Sequence, residues 1–194
     1  MTDYDATTAL LVVDVQNDFA DPEGSLYVTG GEKVVDVVNR EIERALSSGA
    51  TVVYTRDWHP PSTPHFEKDG GIWPVHCVKD TWGAEFHPAL RVEGEVIRKG
   101  SGGEDGYSGF TVRDPKSGEE APTRLEGILR DKGVARVVVV GLATDYCVKE
   151  SAVDAAHKGF ETIVLSEAIR AVDLEPGDGD RALDDVRTAG GRVE

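Results

Sequence analysis

Five short runs rich in valine and isoleucine constrain the fold of this chain more than any other feature of its sequence. They span residues 9–15, 50–55, 95–99, 136–141 and 161–165. The runs lack the strict alternation of apolar and polar residues that a strand with one solvent-exposed face shows. They are therefore typical of strands that are buried on both faces of a parallel sheet.

Segments with a helical apolar period lie between these runs. Apolar side chains recur at helical spacing over residues 34–46, 125–129 and 148–156. Strands that alternate with helices form βαβ units with right-handed crossovers. We therefore predict the fold class α/β, as a three-layer α/β/α sandwich with a doubly wound, mainly parallel sheet.

Length, composition and charge limit the classes of partner and the cellular location that we expect. The chain has 194 residues and a net charge of −15, which suits one domain and disfavours nucleic acid or an anionic membrane as a partner. The sequence has no run near the ~20 apolar residues of a membrane span, and its acidic start lacks the parts of a signal peptide. We expect a cytoplasmic protein with reduced cysteines and a small-molecule substrate. A homo-oligomer is compatible with the sequence, which leaves the oligomeric state open.

Two long segments interrupt the alternation. Residues 58–89 hold four of the five histidines and all three tryptophans, and loops of that length are commonly functional. Residues 100–123 begin with a glycine-rich stretch that is suited to approaching a ligand. They continue as 114–122, which we interpret as an exposed turn or hairpin tip without chemistry.

Four titratable side chains lie near or just beyond the ends of four different predicted strands. They are Asp14, Asp57, Lys99 and Cys147. Ligands of open parallel sheets bind beyond the carboxyl ends of the strands, so we expect these groups to meet at one edge. An acid, an amine and a thiol suit hydrolysis of an amide through a covalent intermediate. The alternative is structural, with Asp14 anchoring a helix and Lys99 forming an ion pair.

Cys147 is the predicted nucleophile. It follows a strand, and Thr144 as the N-cap of the next helix would put Cys147 at the third helical position. The unpaired N–H groups and macrodipole at a helix start favour a thiolate over a thiol. An isolated cysteine is commonly just a small buried hydrophobic residue, so the other site candidates carry the argument for a nucleophile.

A second constellation predicts a metal site. Asp57 and His59 share one face of an extended segment, and His65 and His76 follow within reach of a folded loop. One carboxylate and three imidazoles suit one divalent ion such as Zn, Mn or Fe(II), with open positions for water or substrate. The alternative is that His59 and His65, which are flanked by prolines, are exposed loop residues and that Asp57 caps a turn. We interpret the remaining histidines, His87 and His157, as structural.

Several motifs together carry a family resemblance. In chain order they are VVDVQNDF at 12–19, RDWHPPSTPHF at 56–66, WPVHC at 73–77, KG at 99–100, YSGF at 107–110 and GLATDYCV at 141–148. Over nearly the whole chain, this pattern resembles the nicotinamidases (pyrazinamidase-like enzymes) of the isochorismatase-like cysteine hydrolase family. The resemblance implies a single isochorismatase-like hydrolase domain over residues 1–194.

The resemblance also implies residue roles. Asp14, Lys99 and Cys147 correspond to the family's catalytic triad, and the metal ligands correspond to Asp57, His59 and His76. His65 matches a histidine that ligates the metal in some members and lies farther away in others. The aromatic residues that resemble those lining the family's substrate ring are Phe19, Trp73 and Tyr107.

The resemblance further implies a cis peptide bond between Leu142 and Ala143, with the N–H groups of Ala143 and Cys147 directed at an oxyanion. The implied reaction converts nicotinamide to nicotinate and ammonia through a cysteine thioester, in NAD salvage. Tyr146 stands where many relatives carry histidine, and residues 111–122 look longer than a compact member needs. Both departures concern substrate range more than reaction type.

Two alternatives stay open at this point. A related cysteine amidase for N-carbamoyl, ureido or other small amides would keep the triad but need not keep the metal ligands. A non-catalytic module that binds a metal or a ligand is the alternative from another class. Isochorismatase activity itself is disfavoured because those relatives dispense with the cysteine.

Overall fold

A computed structural model of the protein describes residues 3–194. The strands are β1 (Thr8–Val13), β2 (Thr51–Asp57), β3 (Glu95–Lys99), β4 (Thr111–Arg113), β5 (Glu120–Pro122), β6 (Arg136–Leu142), β7 (Glu161–Arg170) and β8 (Arg192–Val193). The helices are α1 (Asn17–Ala20), α2 (Val34–Ser47), α3 (Leu125–Asp131), α4 (Lys149–His157) and α5 (Asp178–Thr188).

The main sheet has the strand order β3-β2-β1-β6-β7-β8, and all of its neighbouring strands are parallel. The chain first runs outward from β1 to β3, then returns to β6 beside β1 and runs outward to β8. This path confirms the doubly wound sheet. A separate antiparallel hairpin is formed by β4 and β5.

Helices cover both faces of this sheet, which confirms the three-layer sandwich. On one face, α2 packs against Leu10 and Val12 of β1 through its apolar residues Val34, Val38 and Ile42. On the other face, alternate residues of β1 and β6 pack against α3, α4 and α5. The side chains of β1 are all buried, because this central strand is covered on both sides.

Three details differ from the sequence predictions. The expectation that residues 95–99 are buried on both faces is wrong, because β3 is an edge strand and exposes Glu95 and Arg98. β7 continues to Arg170, five residues beyond its predicted end. Helix α5 was not predicted, because its buried stripe is sparse and the rest of the helix is charged; that stripe contains Ala182 and Val186.

The two long segments carry little regular structure. In 58–89 the chain forms short 3-10 turns at Glu67–Asp69 and Trp82–Ala84. The segment 100–123 contains the β4–β5 hairpin, whose tip is exposed as expected. Across residues 3–194, the helices are too short or too polar to cross a membrane.

Candidate active site

The carboxyl edge of the sheet collects the four titratable side chains that the sequence placed at strand ends. Asp14 follows β1, Asp57 and Lys99 are the last residues of β2 and β3, and Cys147 lies shortly after β6. β1 and β6 are the adjacent strands at which the winding direction changes. Asp14 and Cys147 therefore flank the topological switch point, where ligands of such sheets bind.

Lys99 connects the two carboxylates. Its Nζ lies 2.7 Å from Oδ2 of Asp14 and 3.0 Å from Oδ1 of Asp57, and it also donates a hydrogen bond to the carbonyl of Gly106. The hydroxyl of Thr55 donates to the other Asp14 oxygen at 2.6 Å. Lys99 and Asp14 are completely buried, so their charges must be balanced within the site.

Cys147 faces this network. Its Sγ and one carboxylate oxygen each of Asp14 and Asp57 all lie within 4.8 Å of one another. The Sγ atom is also 3.9 Å from the carbonyl oxygen of Gly106. Cys147 lines the pocket described below, so a substrate in that pocket reaches the sulfur directly.

Burial and nearby charges set the protonation states of Cys147, Asp14 and Asp57. Burial raises the pKa of the Cys147 thiol well above its ordinary value, although the charge of Lys99 acts in the opposite direction. The expectation that the helix start would favour a thiolate is therefore wrong for the resting protein. Burial also raises the pKa of Asp14 to about 6, against the opposing effect of Lys99. Burial opposes ionisation of Asp57, but Lys99 and His59 outweigh it and hold the pKa of Asp57 well below its ordinary range.

A π-helical turn at Thr144–Val148 presents Cys147 and leads into α4. The peptide bond between Leu142 and Ala143 is cis. Thr144 is not the N-cap, because Ala143 occupies that position without a side-chain cap, and its carbonyl accepts the N–H of Val148 at 3.1 Å. A bond that spans five residues makes a wider turn than the α-helical start predicted from the sequence.

A cluster of one carboxylate and three imidazoles lies beside Lys99. Oδ2 of Asp57 is 3.7 Å from Nε2 of His59 and 4.0 Å from Nε2 of His76. Ring nitrogens of His59, His65 and His76 lie within 4.8 Å of one another. Both ring nitrogens of His59 are buried and have no hydrogen-bond partner among the described residues. A cation bound in the cluster would provide a partner for these buried nitrogens.

The other two histidines are oriented by hydrogen bonds at Nδ1. In His76 this atom lies 2.7 Å from the carbonyl oxygen of Pro74, and in His65 it lies 2.7 Å from Oδ1 of Asp105. Both arrangements leave Nε2 available to bind a metal ion, and a hydrogen bond at the other ring nitrogen is usual for a metal-binding imidazole. Burial lowers the pKa of His76 to about 4, which keeps the ring neutral at neutral pH. The residues therefore fit a divalent metal ion.

A pocket opens in front of Cys147 and Asp57, and its largely apolar, aromatic lining with a few polar groups is typical of a small-molecule site. The aromatic residues singled out in the sequence, Phe19, Trp73 and Tyr107, all line it. Nε1 of Trp73 donates to the hydroxyl of Tyr107 at 2.8 Å, which fixes both rings. Tyr146 adds a further wall, with its ring edge-on to Trp73 at a centroid distance of 4.7 Å.

Sequence reasoning missed several supporting residues. Val172 lines the pocket, and Asp145 holds it there by accepting the N–H groups of Val172 and Asp173 at 3.0 and 2.8 Å. Val172 follows β7 and so lies at the same edge of the sheet, but a search for titratable groups at strand ends does not select a valine. Asp105 and Thr55 act through partners distant in the chain, and a single sequence carries no signal for such pairing.

Fold and site together define an α/β enzyme with a cysteine, a carboxylate and an ammonium group at the switch point of a parallel sheet, beside a histidine-rich cluster whose residues fit a metal ion. The Isochorismatase domain model matches residues 8–194. The chain belongs to the isochorismatase family.

Individual relatives are similar over nearly their whole length. The nicotinamidase of Escherichia coli is 36% identical, over 94% of this chain and 92% of its own. The structure of pyrazinamidase of Pyrococcus horikoshii in complex with zinc is 40% identical and has a TM-score of 0.85, covering 97% of this chain and 98% of that one. The structure of PnC1 from L. infantum in complex with nicotinate is 35% identical and has a TM-score of 0.88, covering 100% of this chain and 95% of that one.

Proposed function

We propose that this protein is a metal-dependent nicotinamidase, which hydrolyses nicotinamide to nicotinate and ammonia through a thioester on Cys147. The observation that carries the proposal is the position of the Cys147 thiol. It faces Asp14 and Lys99 on one side and an aromatic pocket on the other, beside the Asp57 and histidine cluster. Relatives named as nicotinamidases, similar to this chain over most of its length, support the choice of substrate.

The first step joins proton transfer to carbon–sulfur bond formation. At neutral pH Cys147 is a thiol and Asp14 is a carboxylate, so Asp14 takes the S–H proton as the sulfur attacks the carboxamide carbon. No free thiolate has to persist in the buried site. Lys99, held between two carboxylates, keeps Asp14 ionised before the transfer and offsets the negative charge that forms next to it.

The remaining steps return the site to its starting state. Backbone N–H groups of Ala143 and Cys147 receive the oxyanion, and loss of one such donor costs about 3–4 kcal/mol in a related type of site. Asp14 then gives its proton to the leaving nitrogen, and the C–N bond breaks to release ammonia. A water molecule transfers a proton to Asp14 and attacks the thioester carbon. The C–S bond breaks, Asp14 returns its proton to the Cys147 sulfur, and the product leaves as nicotinate after its carboxyl proton passes to solvent.

Asp57, His59 and His76 would hold a divalent metal ion, with His65 as a further candidate ligand. When bound, the ion would supply a Lewis-acid site for the pyridine nitrogen of the substrate. Asp57 contributes one oxygen to Lys99 and the other to the histidine side, so this residue ties the position of the triad to that of the metal site. Zn, Mn and Fe(II) all suit these donors.

The pocket supports a flat aromatic amide as the substrate. Its walls include the rings of Phe19, Trp73, Tyr107 and Tyr146, and such faces bind a planar heterocycle by stacking. The proposal also includes a cytoplasmic location. Both cysteines are free thiols, which suits a reducing compartment.

The proposal is tested by ammonia release from nicotinamide, measured with purified protein before and after metal chelation and after adding back Zn, Mn or Fe(II). We expect release that is lost on chelation and restored by at least one ion. Hydrolysis of N-carbamoyl or ureido compounds with no release from nicotinamide would replace the proposed substrate class. Failure to hydrolyse any small amide, with a metal bound, would favour a binding module instead.

A further inference from the structure

Asp105 lies outside the predicted site and contacts one of its histidines. The chain places it in the glycine-rich segment between β3 and β4, six residues after Lys99. Its Oδ1 is 2.7 Å from Nδ1 of His65, and both residues are buried. A carboxylate behind an imidazole fixes the ring and its tautomer, and increases the basicity of the free nitrogen.

The β4–β5 hairpin holds Asp105 in place. The backbone of Asp105 pairs with that of Arg113 on β4 in both directions, with N···O distances of 2.8 and 3.0 Å. The guanidinium of Arg113 also lies 3.2 Å from the second carboxylate oxygen, Oδ2. One oxygen of Asp105 therefore serves the histidine, and the other is held by the hairpin.

Further contacts secure this support at both ends. Ser108 and Thr111 donate hydrogen bonds to the carboxylate of Asp154 on α4, at 2.6 and 3.0 Å. On the histidine side, the hydroxyl of Thr63 donates to the carbonyl of Gly103 at 2.6 Å. The hairpin is thus fastened to α4, and the segment that carries Asp105 is fastened to the loop that carries His65. Support of this kind is what holds a ligand side chain in its productive geometry.

His65 differs in this respect from the other histidines of the cluster. The Nδ1 atom of His76 faces a neutral carbonyl, that of Pro74, whereas the Nδ1 atom of His65 faces a carboxylate. The ring of His65 stacks on that of His59 with centroids 4.7 Å apart, which places it within the cluster and not at its margin. These contacts distinguish an oriented ligand from a histidine that only lies nearby.

We propose that Asp105, supported by the β4–β5 hairpin, is a positioning residue that makes His65 a ligand of the metal ion. This inference rests on the metal site of the proposed function. It gives a role to the segment 111–122, which in the sequence looked longer than a compact member of the family needs.

The test is a double-mutant cycle read by zinc affinity, measured by competition with a chromophoric chelator. The variants are Asp105→Ala, His65→Ala and the pair combined. Glu120→Ala is the matched control, since it removes an exposed carboxylate that faces Arg113 across the same hairpin. Asp105→Asn is included because it keeps the shape of the side chain if Asp105→Ala folds poorly. The free energy of unfolding, measured after the metal has been removed with a chelator, reports any effect on folding separately.

We expect Asp105→Ala to weaken zinc affinity by about 10–100-fold, with a smaller loss for Asp105→Asn and wild-type affinity for Glu120→Ala. Because Asp105 acts through His65, the double variant should match His65→Ala within about twofold. Wild-type zinc affinity in Asp105→Ala would overturn the inference. It would also be overturned if Asp105→Ala weakened zinc affinity as much in the His65→Ala background as it does in the wild-type protein. A wild-type protein that binds no divalent metal would overturn the metal site of the proposed function itself.

Discussion

Replacement of Lys99 by methionine tests the charge balance of the site. The side chain is completely buried, with its Nζ 2.7 Å from Asp14 and 3.0 Å from Asp57. Methionine keeps much of the volume and removes the charge, which leaves two carboxylates without their cation. Breaking a buried ion pair in this way costs about 3–5 kcal/mol. At about 2–4 °C per kcal/mol for a chain of this length, Tm should fall by roughly 6–20 °C.

The loss of stability caused by Lys99→Met should increase as pH rises. Without Lys99, the pKa of Asp14 and that of Asp57 both rise, because burial is no longer opposed by a nearby cation. The folded variant then binds more protons than its unfolded chain at pH values between the ordinary and the raised carboxyl pKa. Its free energy of unfolding therefore falls as pH rises through that window. The difference from wild type should be largest near pH 8 and shrink toward about pH 5.

The assay is denaturant unfolding of metal-free wild type, Lys99→Met and Lys68→Met over this pH range. Lys68 is a fair control because it forms a surface pair with Asp69 at 3.0 Å, and such pairs contribute about 0–1 kcal/mol. The reasoning is refuted if Lys99→Met stays within about 1 kcal/mol of wild type near pH 8 and shows no trend with pH.

Further predictions concern single groups of the site. Because burial raises the pKa of Asp14 to about 6 and catalysis needs its carboxylate, kcat/KM of the metal-loaded protein should fall below that pH; a profile flat well into acid would contradict this. Gly100→Ala places a Cβ against the imidazole of His59 at a φ of +70°, so zinc affinity should drop. Gly118→Ala, at φ +73° in open space, should lose only about 1 kcal/mol of stability, and equal zinc affinity of the two variants would contradict the clash. Tyr146→Ala removes a pocket wall and should raise KM with little change in kcat; an unchanged KM would show that this ring does not bind substrate.

Much of the fold could be predicted from the sequence because its strands are strongly apolar and its longer helices have a clear period. The site candidates followed from one geometric rule, since the carboxyl ends of parallel strands share an edge. That rule brought Asp14, Asp57, Lys99 and Cys147 together across more than a hundred residues of chain. It needs only the strand ends, and those were predicted to within a few residues for β1, β2, β3 and β6.

The remaining features depend on information that a single sequence does not contain. Thr144 has the right residue type for a cap, but the turn after β6 is π-helical and begins at Ala143. The protonation of Cys147 depends on how deeply the folded chain buries it, and burial outweighs the opposing charge of Lys99. The contact between Asp105 and His65 joins residues 40 positions apart in two irregular segments, where no periodic pattern sets a register.

The most direct test of the account is ammonia release from nicotinamide by Cys147→Ala, compared with Cys77→Ala. Cys77 is the other free thiol; it is completely buried in the apolar core and does not line the pocket. We predict that Cys147→Ala binds metal like wild type and releases no ammonia, whereas Cys77→Ala remains active. Release by Cys147→Ala at the wild-type rate would contradict a thioester at Cys147 and, with it, the proposed mechanism.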